Sequence, residues 1–80
     1  MKFIFTIFDK DNKVQSKKIF KKAIQINRFV KNFFNTPINQ DCTLFLFICE
    51  EKSLITRSYK FDKSQNKITF QTVLYNEQLN

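Results

Sequence analysis

The stretch Cys42 to Glu50, "CTLFLFICE", constrains this chain more than any other. Side chains of a β-strand point alternately to two faces. One face here carries Cys42, Leu44, Leu46 and Ile48, and the other carries Thr43, Phe45, Phe47 and Cys49. Both are oily, so a strand of this kind asks for a layer on each side. At 80 residues the chain is one small domain, residues 1–80. A domain of that size buries only about 60–65% of its unfolded surface. It has the length for one substantial helix, which leaves one face of the strand to be covered by something else.

The rest of the chain supplies the other elements. Residues 2–8, "KFIFTIF", are aromatic and β-branched and read as a strand. "DKDNK" is turn chemistry, because Asp and Asn side chains bond nearby backbone groups. From Val14 to Phe34 the apolar positions Ile19, Ala23, Ile26, Val30 and Phe33 fall on one stripe at helical spacing, flanked by Phe20, Phe29 and Phe34. Asn12 and Gln15 have the form of a weak capping box. Thr36 before Pro37 ends the helix, since a residue preceding proline is pushed out of the helical region. Three strands follow with short loops between them: 42–50, Leu54–Asp62 and Lys67–Tyr75. The predicted fold class is α+β, a two-layer β-α-β-β-β domain with one amphipathic helix on one face of a four-stranded mixed sheet. The first strand is expected to run parallel to the second or the fourth through a right-handed crossover.

Charge is concentrated in one region. The chain has 14 basic and 7 acidic residues, a formal net charge of +7. No acidic residue lies between Asp11 and Asp41, a window holding Lys13, Lys17, Lys18, Lys21, Lys22, Arg28 and Lys31. On a helix, Lys17/Lys21 and Lys18/Lys22 would be like-charge pairs at i,i+4, each costing a few tenths of a kcal/mol (about 0.2–0.5). Lysines in the first turns also oppose the helix dipole. An unneutralised basic ridge of this kind points to an acidic partner: a phosphate backbone, an acidic protein surface or anionic lipid. A solvated face is the bland alternative, since codons for Phe, Ile, Asn and Lys are A/T-rich and an AT-biased genome raises all four. A membrane-surface helix is a remote alternative, because the sheet needs the helix's apolar side for its own core.

The chemistry of catalysis is missing. The chain has no histidine and no glycine, hence neither the commonest general base and metal ligand nor a phosphate-cradling loop. "DKDNK" starts like a calcium-binding loop at Asp9 and Asp11 and then fails, with Lys13 at the third ligand position. Glu50 and Glu51 form a loop pair with no partner carboxylate. Cys42 and Cys49 sit about 23 Å apart on one strand at about 3.3 Å per residue, too far for a mutual disulfide, and read as buried free thiols. The expectation is therefore no enzyme, no cofactor and no metal site, in a reducing cytoplasmic compartment. The apolar run near Lys2 is short and interrupted by Thr6, so neither a signal peptide nor a transmembrane segment is expected.

The coverage problem then points to a partner. One long helix covers about two strands of a sheet, which leaves Ile4 and Phe8 of the first strand and Phe45 and Phe47 of the second as a candidate protein interface, filled by a second copy or another protein. The segment "NEQLN" and the loop 35–41 are the internal candidates for covering it. Arg57, Tyr59 and Phe61 share one strand face and form a candidate base-stacking set, with burial against the core as its rival. The expected function is a small non-catalytic binding protein that occupies a macromolecular partner, as a virus- or plasmid-type inhibitor or a ribonucleoprotein-type adaptor does. It would use the apolar sheet face and the basic ridge. The alternative is direct, largely sequence-independent nucleic-acid binding by the basic helix.

Overall fold

Two asparagines in the left-handed region shape this glycine-free chain: Asn12 at φ 63° and Asn66 at φ 54°. Asn is among the few residues that tolerate that conformation without glycine's freedom. In the first turn the Asp9 carboxylate accepts from the backbone N–H groups of Asp11 and Lys13 at 2.8 and 2.9 Å. The Asp9 N–H donates to the Lys13 carbonyl at 2.9 Å and closes the loop. The chain is thereby reversed into a hairpin. The computed structural model, which describes residues 1–51 and 53–76, pairs β1 (Lys2–Phe8) antiparallel with β2 (Val14–Phe20).

This corrects the helix predicted from Val14. The helix α1 spans Ile24–Phe34, only 11 residues, and its predicted first half is the strand β2. Three physical reasons favour the strand. Val14, Ile19 and Phe20 suit an extended backbone. The turn brings β2 beside β1 at once, where every second residue gains ladder hydrogen bonds. As a strand, Lys17 and Lys18 point to opposite faces, and the like-charge i,i+4 pairs of the helical alternative disappear. Asn12 works in the turn and not as a helix cap, and α1 starts at Ala23 without any side-chain cap.

The remaining strands are β3 (Thr43–Cys49), β4 (Ser53–Asp62) and β5 (Lys67–Asn76). The sheet therefore has five strands, not four, in the order β2-β1-β3-β4-β5. Every neighbouring pair is antiparallel, so it is not mixed. The first strand runs antiparallel to β3, against the predicted parallel crossover. The added strand is the reason: α1 leaves from β2, not from β1, and the two strands it joins run the same way with β1 between them.

The core lies between the sheet and α1. Phe3, Phe5 and Ile7 of β1, Leu44 and Leu46 of β3, and Tyr59 of β4 meet Ile26, Val30 and Phe34 of the helix. Phe5, Phe34, Leu44 and Leu46 are the largest fully buried side chains. Phe29 ties the helix to the first hairpin, its ring centroid 4.9 Å from that of Phe5 and 5.3 Å from that of Phe20. Phe34 stacks on Phe61 at 6.2 Å and ties the other end to β4. The loop after α1 holds a short 3-10 helix, Pro37–Asn39, and is occupied in ending α1. Asn39 Nδ2 donates to the Phe33 carbonyl at 3.0 Å and Gln40 Nε2 to the Phe34 carbonyl at 3.1 Å, so two of the helix's last carbonyls are satisfied. The other internal cover suggested by the sequence, "NEQLN", lies outside the described residues beyond Asn76.

Candidate interaction surface

Strand parity and register place Ile4, Phe8, Phe45 and Phe47 together on the sheet face away from α1. Ile4 stands opposite Phe47, and Phe8 opposite Thr43, across the β1–β3 ladder. One row crosses all five strands as Ile19, Ile4, Phe47, Thr56 and Val73. The row beside it reads Lys17, Thr6, Phe45, Ser58 and Gln71. The apolar ends of the first row are exposed, Ile19 at 64% and Val73 at 46%. Phe45 and Phe47 are half-buried, with ring centroids 5.0 Å apart. Thr6 and Thr56, directly opposite these two rings, are buried although among the described residues no second layer lies above them. In this register the two phenylalanines are their direct cross-strand neighbours, at the short range of opposed residues. Sequence reasoning missed Ile19 and Val14 on this side because it assigned both to a helix. The like-charge lysine spacing was the available signal against that assignment.

The seven basic residues do not form a helical ridge. Arg28 and Lys31 stand exposed on α1, Lys21 and Lys22 lie in the connection before it, and Lys13 lies in the first turn. Lys17 and Lys18 belong to β2, an edge strand, with Lys17 on the open face and Lys18 on the helix side. What survives is a basic edge and helix flank: β2, the connection and α1 carry no carboxylate, because none occurs between Asp11 and Asp41.

Arg57, Tyr59 and Phe61 do share a face, the one toward α1. Tyr59 is buried, with its ring 6.2 Å from that of Phe5 and 5.9 Å from that of Phe70. Phe61 is half-buried against Phe34. Both rings are thus engaged in the core and a base could not stack on them without displacing it. Arg57 lies where α1 no longer reaches. Its Nε donates to Thr72 Oγ1 at 2.9 Å, its Nη1 to the Tyr59 hydroxyl at 3.2 Å, and its guanidinium sits 5.2 Å from the centre of the Phe70 ring. A cation over an aromatic face is attracted by the ring quadrupole.

The titratable groups at the turn end of the sheet are tied to one another. Lys63 Nζ lies 2.8 Å from an Asp41 oxygen and holds that carboxyl below its ordinary range, with a smaller contribution from Lys10. The Ser64 hydroxyl, with backbone N–H groups of Gln65 and Ser64, does the same for Asp62. Burial pushes the Cys42 thiol up, and Asp9 and Asp41 add to it, which keeps the sulfur protonated and unreactive. Cys49 is exposed, against the expectation that both thiols are buried, because it ends β3 on the open side. Among the described residues, no three His, Cys, Asp or Glu side chains are grouped to hold a metal, and no helix is long and apolar enough to cross a membrane. Comparison with known protein families, with curated proteins and with solved structures finds no match to this chain.

Proposed function

We propose that this protein is a non-catalytic binding protein that occupies a macromolecular partner through the open face of its sheet. The observation that carries this reading is the convergence of Ile4, Phe8, Phe45 and Phe47 on the one face that α1 leaves bare. An apolar patch on a small domain of this kind is characteristic of a protein interface. Lys2 and Lys17 share the parity of that face, at its margin, and the basic β2 edge and helix flank extend the same charge. The fitting partner therefore presents an apolar centre with carboxylates or phosphates around it. An inhibitor of a nucleic-acid-handling machine, or an adaptor in a ribonucleoprotein, meets such a surface. The lysines steer the encounter by point charge, and the phenyl rings supply the buried area.

Direct binding of single-stranded nucleic acid is the second reading, and the adjacent Phe45 and Phe47 rings beside Lys17 are the observation in its favour. It no longer has a continuous helical ridge to rest on. Membrane-surface binding loses its basis in a basic amphipathic helix, since α1 spends its apolar side on the sheet.

One comparison tests these readings. Wild type and a Phe45→Ser/Phe47→Ser variant, each held well below its own melting temperature, are used as baits in host extract, and both are titrated with labelled oligonucleotides at low and moderate salt. A protein retained by wild type and lost from the variant supports the first reading. Oligonucleotide binding at low salt, lost in the variant, replaces it with the second. Equal behaviour of the two baits in both assays removes the open face as the binding site.

A further inference from the structure

The sheet ends in two edges of opposite character. The outer edge of β2 carries Lys17 and Lys18, and its register with β1 breaks at Gln15, where Ile7 faces Ser16 but Phe8 faces Val14. Lysines and a bulge are the devices by which edge strands refuse further pairing. β5 has no bulge, and its one lysine, Lys67, stands at its first residue. Its register with β4 runs unbroken from Asp62↔Lys67 to Ser53↔Asn76. Between Ile68 and Tyr75 it has no charge and no proline, in a chain of net charge +7. Among the described residues β5 pairs only with β4. Two large side chains on its helix side lie beyond the reach of α1, Phe70 at 63% and Leu74 at 57% exposure.

We infer that β5 is a self-pairing edge: two copies of this chain join β5 to β5 antiparallel about a two-fold axis at Thr72, forming one continuous ten-stranded sheet. Opposed residues of an antiparallel pair share a face. Phe70 and Leu74 are on the same face and equidistant from Thr72, so that axis sets Phe70 of each copy against Leu74 of the other. Both exposed side chains are then covered, in two symmetry-related Phe70–Leu74 pairs, while an axis at Gln71 would set Phe70 against a threonine. Between Ile68 and Tyr75 the joint itself contains no charged side chain. The nearest charges are the two Arg57 guanidiniums, each turned towards the joint by its bond to Thr72 and so closer together than the about 14 Å that three strand spacings of about 4.8 Å put between their backbones. Their repulsion is screened by salt, so the dimer is expected to weaken at low ionic strength. The assembly also closes. The interface uses the same patch on both copies, and among the described residues the edges left are the lysine-bearing β2 strands, so growth stops at two. Since the axis is normal to the sheet, both open faces lie on one side of the dimer. The inference does not depend on what those faces bind.

The test uses the full chain with Cys49→Ser, which removes the exposed thiol. Sedimentation equilibrium is expected to give twice the 9.7 kDa chain mass, and Thr72→Lys to return the single-chain mass with strand circular dichroism retained. Thr72→Cys is expected to oxidise to a covalent dimer, because directly opposed Cα atoms lie about 4.5–5.5 Å apart, within disulfide reach. Gln71→Cys and Val73→Cys should each fail alone and cross-link when mixed, since those positions oppose each other in this register. A single-chain mass at every concentration overturns the proposal. So does a dimer that survives Thr72→Lys but is lost in Phe45→Ser, or cross-linking at Lys17→Cys as efficient as at Thr72→Cys.

Discussion

The two faces of β3 are nearly equal in apolarity and very unequal in burial. Leu44 and Leu46 are fully buried under α1, whereas Phe45 and Phe47, interleaved with them, remain half exposed. Composition says which side chains gain from cover, at about 25 cal/mol per Å² of apolar surface. The number of layers the chain can build decides which of them receive it. The open face is not uniform, since Thr6 and Thr56, opposite Phe45 and Phe47, are buried. The covered face is not uniform either, because a helix of 11 residues is about 16 Å long and leaves Phe70 and Leu74 of β5 outside.

The sharpest way to break this comparison is to truncate one residue from each face. Leu46→Ala should cost about 3–4 kcal/mol, as removal of a fully buried leucine does when the cavity cannot collapse. Phe47→Ala should cost about 1 kcal/mol, the range of an average point mutation. Urea denaturation measures both, and equal losses would mean that the open face is core and not interface. The first hairpin contributes to both faces at once, through Phe20 on the covered side and Ile19 on the open one. Asn12→Ala, which puts a less tolerant residue at φ 63°, should therefore weaken the fold by about 1 kcal/mol. A midpoint unchanged from wild type would show that β2 is held by its ladder alone.

Smaller effects probe the uncovered end of the helix side and the turns. Arg57→Lys keeps the charge but loses the planar fork that reaches Thr72, Tyr59 and Phe70, and should cost about 0.5–1 kcal/mol in thermal unfolding. No loss would place Arg57 in solvent, outside the packed layer. The smallest effect belongs to Asp62, whose carboxyl sits at a turn and supports neither face. Its folded pKa is below the unfolded one, so its stabilisation is present above about pH 4 and is lost as pH falls through the folded value. Asp62→Asn should therefore lower the melting temperature slightly at neutral pH, converge with wild type in acid, and flatten the acid limb between. An NMR titration of Asp62 gives the shift directly.

The alternating segments were readable from sequence because period two has few competitors in short runs bounded by turns. β3, β4 and β5 fall within a residue of the predicted bounds, and the partition of Phe45 and Phe47 from Leu44 and Leu46 follows from parity alone. Residues 14–20 were not readable by the same means. Ile19 sits four before Ala23 and seven before Ile26, a helical spacing that continues into the true helix by coincidence, while in the sheet Ile19 faces the open side. That one assignment also carried the basic ridge, the strand count and the direction of β1. Turn chemistry at "DKDNK" and the like-charge lysine pairs are both features that a hairpin accommodates, whereas the local apolar periodicity points to a helix. Burial of Tyr59 was undecidable from sequence, since it depends on where the end of α1 rests.

The lack of glycine reaches beyond the two turns that asparagine fills. Every residue of this chain carries a Cβ, which narrows the backbone conformations open to the denatured ensemble. Folding therefore surrenders less freedom per residue, an advantage independent of any native packing. For a domain with a single helix over one side of its sheet, part of the driving force toward order resides in the restricted unfolded chain. Asn12→Gly would illustrate it: relief at φ 63° in the native turn is offset by the wider range of disordered states that glycine restores.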